Sequence, residues 1–147
     1  MNGFEFVGGL RNSVQIFYQN NLFRKHTDNQ WRCSKCRSMI TIDIRKKIVT
    51  KGPIPLHNGH GDVPIIRLAV LFAIKKMKEE TRTNRSSSLH QIYHRNLKLL
   101  TDSTFSLKDI HDPQIGGLLP YPRFQNTLAK IREKTINSEF GLVKFEF

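Results

Sequence analysis

Both cysteines of this 147-residue chain fall in Trp31-Arg32-Cys33-Ser34-Lys35-Cys36, separated by two residues, and two of its six histidines repeat that spacing in His57-Asn58-Gly59-His60. Two thiolates and two imidazoles are the ligand set of a tetrahedral structural zinc site. Each pair is a local chelate. A Cys-x-x-Cys turn can aim both sulfurs at one ion about 2.3 Å away, and a short histidine turn can do the same with ring nitrogens at about 2.0 Å. Closing the site then requires only the one loop of twenty residues between the pairs. Binding of this kind contributes on the order of 10 kcal/mol at neutral pH, more than the net stability of most small domains.

Two other readings of the cysteines stand beside the metal. A redox pair wants a thioredoxin-like βαβ context, which is missing, and it leaves the histidines unexplained. A disulfide is disfavoured for adjacent cysteines where the N-terminus lacks the basic start and apolar centre of a secretory signal.

The spacing does not suit a ββα zinc finger, which expects about twelve residues between its pairs and a helix carrying the histidines. Here Ile40, Ile42 and Ile44 alternate with Thr41 and Asp43, and Ile48 and Val49 follow, so the interval reads as strand, turn, strand. Pro53 and Pro55 oppose a helix leading into His57. Upstream, Phe4 and Phe6 suggest a short edge strand. Val14, Ile16 and Tyr18 alternate with Gln15 and Phe17, Asn20-Asn21 marks a turn, and Leu22-Phe23 starts a second run, which is a hairpin signal. After a turn at Thr27-Asp28-Asn29, Gln30 to Lys35 returns as a strand carrying Trp31 and the first thiolate. Trp31, Phe17, Tyr18 and Phe23 read as core aromatics of a domain too small to build its core otherwise.

The aromatic hairpin (Ile16-Phe17-Tyr18, Phe23), then Trp31-Arg32-Cys33, Cys36 and His57-Asn58-Gly59-His60, together resemble the FLYWCH-type zinc finger, a module related to the WRKY and GCM DNA-binding folds. The resemblance covers residues 4–62. It implies a four- or five-stranded antiparallel sheet with one zinc ion at an edge, held by Cys33, Cys36, His57 and His60. It also implies DNA contact through the exposed side chains of one strand. The chain departs from the family's pattern in its shorter cysteine spacing, in closing as His-x-x-His instead of His-x-His, and in Met39 where an arginine is common.

Gly61-Asp62-Val63-Pro64 follows the last ligand and marks a boundary, with Pro64 suited to a helix start. Ile66, Val70, Ile74 and Met77 recur at helical steps, predicting a helix over Ile65–Thr81. Leu89, Ile92, Tyr93, Leu97 and Leu100 predict a second over Leu89–Leu100, capped by Ser87 or Ser88, and Phe124, Leu128 and Ile131 a third near Pro122–Thr135. Ser103 to Gly117 reads as loop, and Phe140 to Phe147 as a terminal strand or frayed tail. This helical segment with Leu118-Leu119-Pro120-Tyr121 resembles the segment beside Mutator-like transposase domains. The expected fold is α+β: a zinc-stapled antiparallel sheet (4–62), a three-helix region (63–137) and a tail (138–147). His90 and His94 share one helix face, but Gln91 stands where a zinc protease needs a glutamate and no third ligand is evident, so they read as structural or surface histidines.

Charge narrows the function. The chain carries 24 Lys and Arg against 12 Asp and Glu, and residues 1–60 hold ten basic and three acidic groups. Excess positive charge on a metal-stapled module points to phosphate backbones. The expected contacts are Arg32, Lys35 and Arg37 with the run Arg45, Lys46, Lys47 and Lys51, which together suggest one positive face. Charge together with the FLYWCH resemblance makes DNA the expected partner, and the resemblance implies a transposase-derived or chromatin-associated regulator in a nuclear, reducing compartment. A protein–protein adaptor using the apolar helix stripes is the alternative reading. No set of spaced carboxylates suits two-metal catalysis, no run approaches a membrane span, and no small-molecule substrate or enzymatic activity is expected.

Overall fold

The computed structural model describes residues 2–8 and 14–139. The chain divides into two compact units, the first ending at Ile65 and the second running on from Ile66; of the expected tail (138–147), Ser138 and Glu139 end the last helix, and the part from Phe140 lies outside the described residues.

The first unit is a six-stranded antiparallel meander in the order β1 (Glu5–Gly8), β2 (Val14–Tyr18), β3 (Asn21–Lys25), β4 (Gln30–Cys33), β5 (Met39–Asp43) and β6 (Ile48–Ile54). The four or five strands implied by the resemblance are therefore six. The sheet also curls: Gly3 bridges to Ile48, Phe4 N donates to Lys47 O (3.2 Å) and Val49 N to Asn2 O (2.7 Å). The chain ahead of β1 thus covers part of the edge that β6 would otherwise leave unpaired. The curl gives the sheet an inner face, and side chains alternating along the strands fill it. Phe4, Ile16, Tyr18, Phe23, Trp31, Cys33, Ile40, Ile42 and Val49 form the core, with Phe6 packed at its margin.

The β2–β3 hairpin turns on Gln19 and Asn20, at φ 47° and 63°, rather than on Asn20-Asn21. A two-residue loop of this kind needs positive φ at both central positions. Asn21 is then the first residue of β3, paired with Tyr18.

The second unit contains four helices among the described residues, not three: α1 (Ile65–Thr83), α2 (Leu89–Asp102), α3 (Leu107–His111) and α4 (Tyr121–Glu139). The additional helix, α3, lies in the stretch expected as loop. Ser106 caps it by accepting from Asp109 N, and at five residues it is too short to leave a periodic signal. Ser88 caps α2 in a reciprocal capping box with Gln91. Long-range ties join the helices. Arg132 Nη2 donates to the carbonyls of Asn84 and Ser87 (2.9 and 3.0 Å), Arg67 Nη2 to Pro113 O (2.9 Å), and Glu80 pairs with Arg95. Ile74, Met77, Ile92, Tyr93, Phe124 and Leu128 are fully buried. None of the described helices is long and apolar enough to cross a membrane.

Candidate metal centre

The meander brings two distant pairs of candidate donors, Cys33 with Cys36 and His57 with His60, to one end of the sheet. Cys33 ends β4, where Cys33 N donates to Ser38 O (2.8 Å) and closes the Cys33–Cys36 turn. The chain then leaves along β5 and returns along β6. Met39, the first residue of β5, is paired with Ile54, the last of β6. The segment from Pro55 onward therefore starts beside the cysteine turn, two residues before His57. Phe23, paired with Cys33 across β3–β4, carries the His57 ring at a centroid distance of 5.5 Å.

The resulting geometry is close to a coordination shell. Cys33 Sγ lies 3.5 Å from His60 Nε2 and Cys36 Sγ 3.4 Å from His57 Nδ1. Sulfur and nitrogen ligands of a tetrahedral zinc at ordinary bond lengths stand about 3.6 Å apart. All four ligand atoms lie within 4.8 Å of one another, and the two histidine ring centroids are 5.2 Å apart. Cys33 is buried, while Cys36, His57 and His60 are half-buried, which leaves a path for an ion to enter.

Neighbouring groups orient the donors. His60 Nδ1 lies 2.9 Å from Gly61 O. A carbonyl can only accept, so Nδ1 carries the proton and the Nε2 lone pair faces the sulfurs, the arrangement typical of ligating histidines. Lys35 N–H donates to Cys33 Sγ at 3.5 Å. His57 Nε2 is buried without a hydrogen-bond partner among the described residues, and Nδ1 is the nitrogen turned to the sulfurs.

The thiols differ in acidity. Burial pushes Cys33 up, against the Lys35 N–H. Burial also pushes Cys36 up, but the Ser38 N–H, His60, the Asn58 N–H and His57 outweigh it and bring this thiol down to about 6. His60 is raised by the Gly61 carbonyl and then by Cys36. At neutral pH Cys36 is thus largely thiolate, and Cys33 is the thiol whose proton a cation must displace. Two sulfurs and two imidazoles at these distances can hold a metal ion; the donors fit a soft or borderline cation and not a hard one.

The basic residues singled out from sequence are all exposed, but they fall into separate places. Lys35 and Arg37 flank Cys36 at the metal end. Arg45, Lys46 and Lys47 occupy the β5–β6 turn, with Lys47 at φ 53° and Lys46 N held by Asp43 Oδ1 at 3.2 Å, at the far end of β5. Arg32 and Lys51 lie between. Strand pairing puts Gln15, Arg24, Arg32 and Met39 in one row across β2 to β5, and Gln30, Thr41 and Lys51 in the next. Arg24 was not among the expected contacts. The signal for it was the β3–β4 register, which follows once the turn between Lys25 and Gln30 is fixed.

Compared with protein families, with curated proteins and with solved structures, the chain matches none of them.

Proposed function

We propose that the first unit is a zinc-dependent DNA-binding module of FLYWCH type, widened to six strands, and that the chain is a transposase-derived or chromatin-associated nuclear regulator and not an enzyme. Zinc supplies the crosslink that ties the β4–β5 turn to the segment after β6. The observation that carries the DNA reading is the pairing of Arg24 with Arg32 on the outer surface of the sheet, both exposed. Like charges directly opposite each other destabilise a sheet, and a phosphate backbone offsets that cost. Lys51 and the polar side chains of Gln15, Gln30 and Thr41 extend the same surface, a mixture suited to phosphates and base edges.

The test is binding of the zinc-loaded chain to duplex DNA, followed by fluorescence anisotropy across salt concentrations. With about three to five phosphates contacted, affinity falls tenfold or more between about 50 and 200 mM salt, and chelation abolishes binding. A zinc-loaded, folded chain without salt-sensitive DNA affinity overturns this reading in favour of a protein-binding adaptor.

A further inference from the structure

A second group of titratable rings lies on the helical unit, remote in sequence from the cysteines. His90 and His94 stand four residues apart on α2 and are both exposed, so the helix stacks them on one face. Their ring centroids are 4.1 Å apart with planes inclined at 41°. Tyr121, at the start of α4, stands edge-on to His90 at 5.1 Å and lies 5.9 Å from His94. Tyr93 backs the His94 ring at 5.3 Å and is itself fixed by its hydroxyl, which donates to Leu119 O at 2.7 Å. The imidazole pair is therefore braced by two tyrosines while remaining open to solvent.

The separation selects a geometry. An ion bound by a ring nitrogen at about 2.0 Å lies about 3.2 Å from that ring's centroid, since the nitrogen stands about 1.2 Å from the ring centre. Two imidazoles on one ion then have centroids about 5.2 Å apart at the tetrahedral angle and about 4.5 Å apart at a right angle. His57 and His60, at 5.2 Å, have the tetrahedral spacing. His90 and His94, at 4.1 Å, once a nitrogen of each ring is turned to one point, need to open by only about 0.4 Å to occupy adjacent corners of a square-planar or tetragonal ion, and by about 1.1 Å to suit a tetrahedral one. Nitrogen donors at right angles favour Cu2+ or Ni2+, and among divalent first-row ions Cu2+ binds such donors most tightly.

We propose that His90 and His94 form a second metal site, a surface bis-imidazole chelate for Cu2+, with its remaining coordination positions open to water or to a donor from a bound partner. The two sites then sort metals by geometry and donor softness: thiolates with tetrahedral spacing at one, two imidazoles at right angles at the other. A chelate spanning one turn also fastens the first half of α2, because the ion links positions four apart only while that turn is helical. This proposal is independent of the DNA reading.

The experiment uses the full zinc-loaded chain titrated with Cu2+ alone. Electron paramagnetic resonance reads the nitrogen couplings, mass spectrometry the zinc retained, and circular dichroism the melting of the helices. The expected result is one equivalent of Cu2+ bound through two imidazole nitrogens, zinc retained, and a raised melting temperature. His90→Ala and His94→Asn each weaken Cu2+ binding by at least about tenfold and abolish the melting shift, with unchanged helicity and zinc content, whereas His26→Ala has no effect. Copper uptake that is equal in His90→Ala and His94→Asn and in the parent chain, or that occurs only with matching loss of zinc, overturns the proposal.

Discussion

Arg24 on β3 and Arg32 on β4 stand directly opposite each other, both exposed on the outer surface of the sheet. Such a pair costs the free protein a few tenths of a kcal/mol up to about 1. Arg24→Gln should therefore raise the sheet's stability by about 0.5 kcal/mol while weakening duplex DNA binding and lowering the salt slope by about one. Urea unfolding and anisotropy on the same variant check both. A stability gain with unchanged DNA affinity removes Arg24 from the interface.

Metal removal should unfold the first unit and spare the second. Cys33→Ser or His57→Ala takes away one of four donors, and the remaining three lose most of a binding free energy on the order of 10 kcal/mol. The single tryptophan, Trp31, is 5% exposed within the sheet core, so its emission reports this unit alone. A red shift on chelation, with the helical signal at 222 nm largely retained because each unit has its own buried core, is the expected outcome. Unshifted emission at full chelation means that the sheet does not depend on metal.

The Cys33, Cys36, His57 and His60 cluster was legible because metal chemistry calls for these residue types and because Ile40, Ile42 and Ile44 carry a period of two, with Ile48 and Val49 after a turn marking a return strand. The helices with long apolar stripes were legible for the same reason. The short α3 was not, since its five residues contribute one buried side chain, Ile110, and its start rests on a cap at Ser106. Nor was the turn at Gln19 and Asn20: glutamine is no favourite at positive φ, and the pairing of Tyr18 with Asn21 imposes it. From sequence, the basic run Arg45-Lys46-Lys47 is expected to share one positive face with Arg32, Lys35 and Arg37. The length of β5 separates its turn from the metal end, and only register brings Arg24 beside Arg32.

Two glycines near the site should respond differently to alanine. Gly52 has φ 94°, and a Cβ there would overlap the Met39 carbonyl in the neighbouring strand. Gly59, at φ 80°, has nothing within 4 Å of an added Cβ. Gly59→Ala should thus cost about 1 kcal/mol, the penalty of a left-handed backbone alone, with zinc affinity nearly kept. Gly52→Ala adds a backbone clash at the irregularity that returns β6 to the cysteine turn, so it should cost about 2 kcal/mol or more and weaken zinc binding with it. Competition with a chromophoric chelator, run beside urea unfolding, measures both; equal losses in the two variants count against the Met39 contact as the controlling one.

The helical unit should be most stable near pH 10. Lys78, 6% exposed on α1, is brought down to about 8 by burial and then by Arg82. Its charged form is disfavoured in the folded chain, so the cost is full below about pH 8 and is relieved as pH rises from there toward the unfolded value of about 10.4, over which range the unfolded state binds more protons. Tyr93, 1% exposed, is pushed up to about 12 by burial. Its neutral form is favoured by folding, so its contribution is intact below about pH 10 and declines as pH rises toward 12. Stability measured by urea unfolding at 222 nm should rise by about 1–2 kcal/mol between pH 8 and 10 and then fall. Lys78→Met should remove the rising limb and Tyr93→Phe the falling one; a profile that is flat from pH 8 to 10 in the parent chain shows that the Lys78 ammonium is not penalised where it lies.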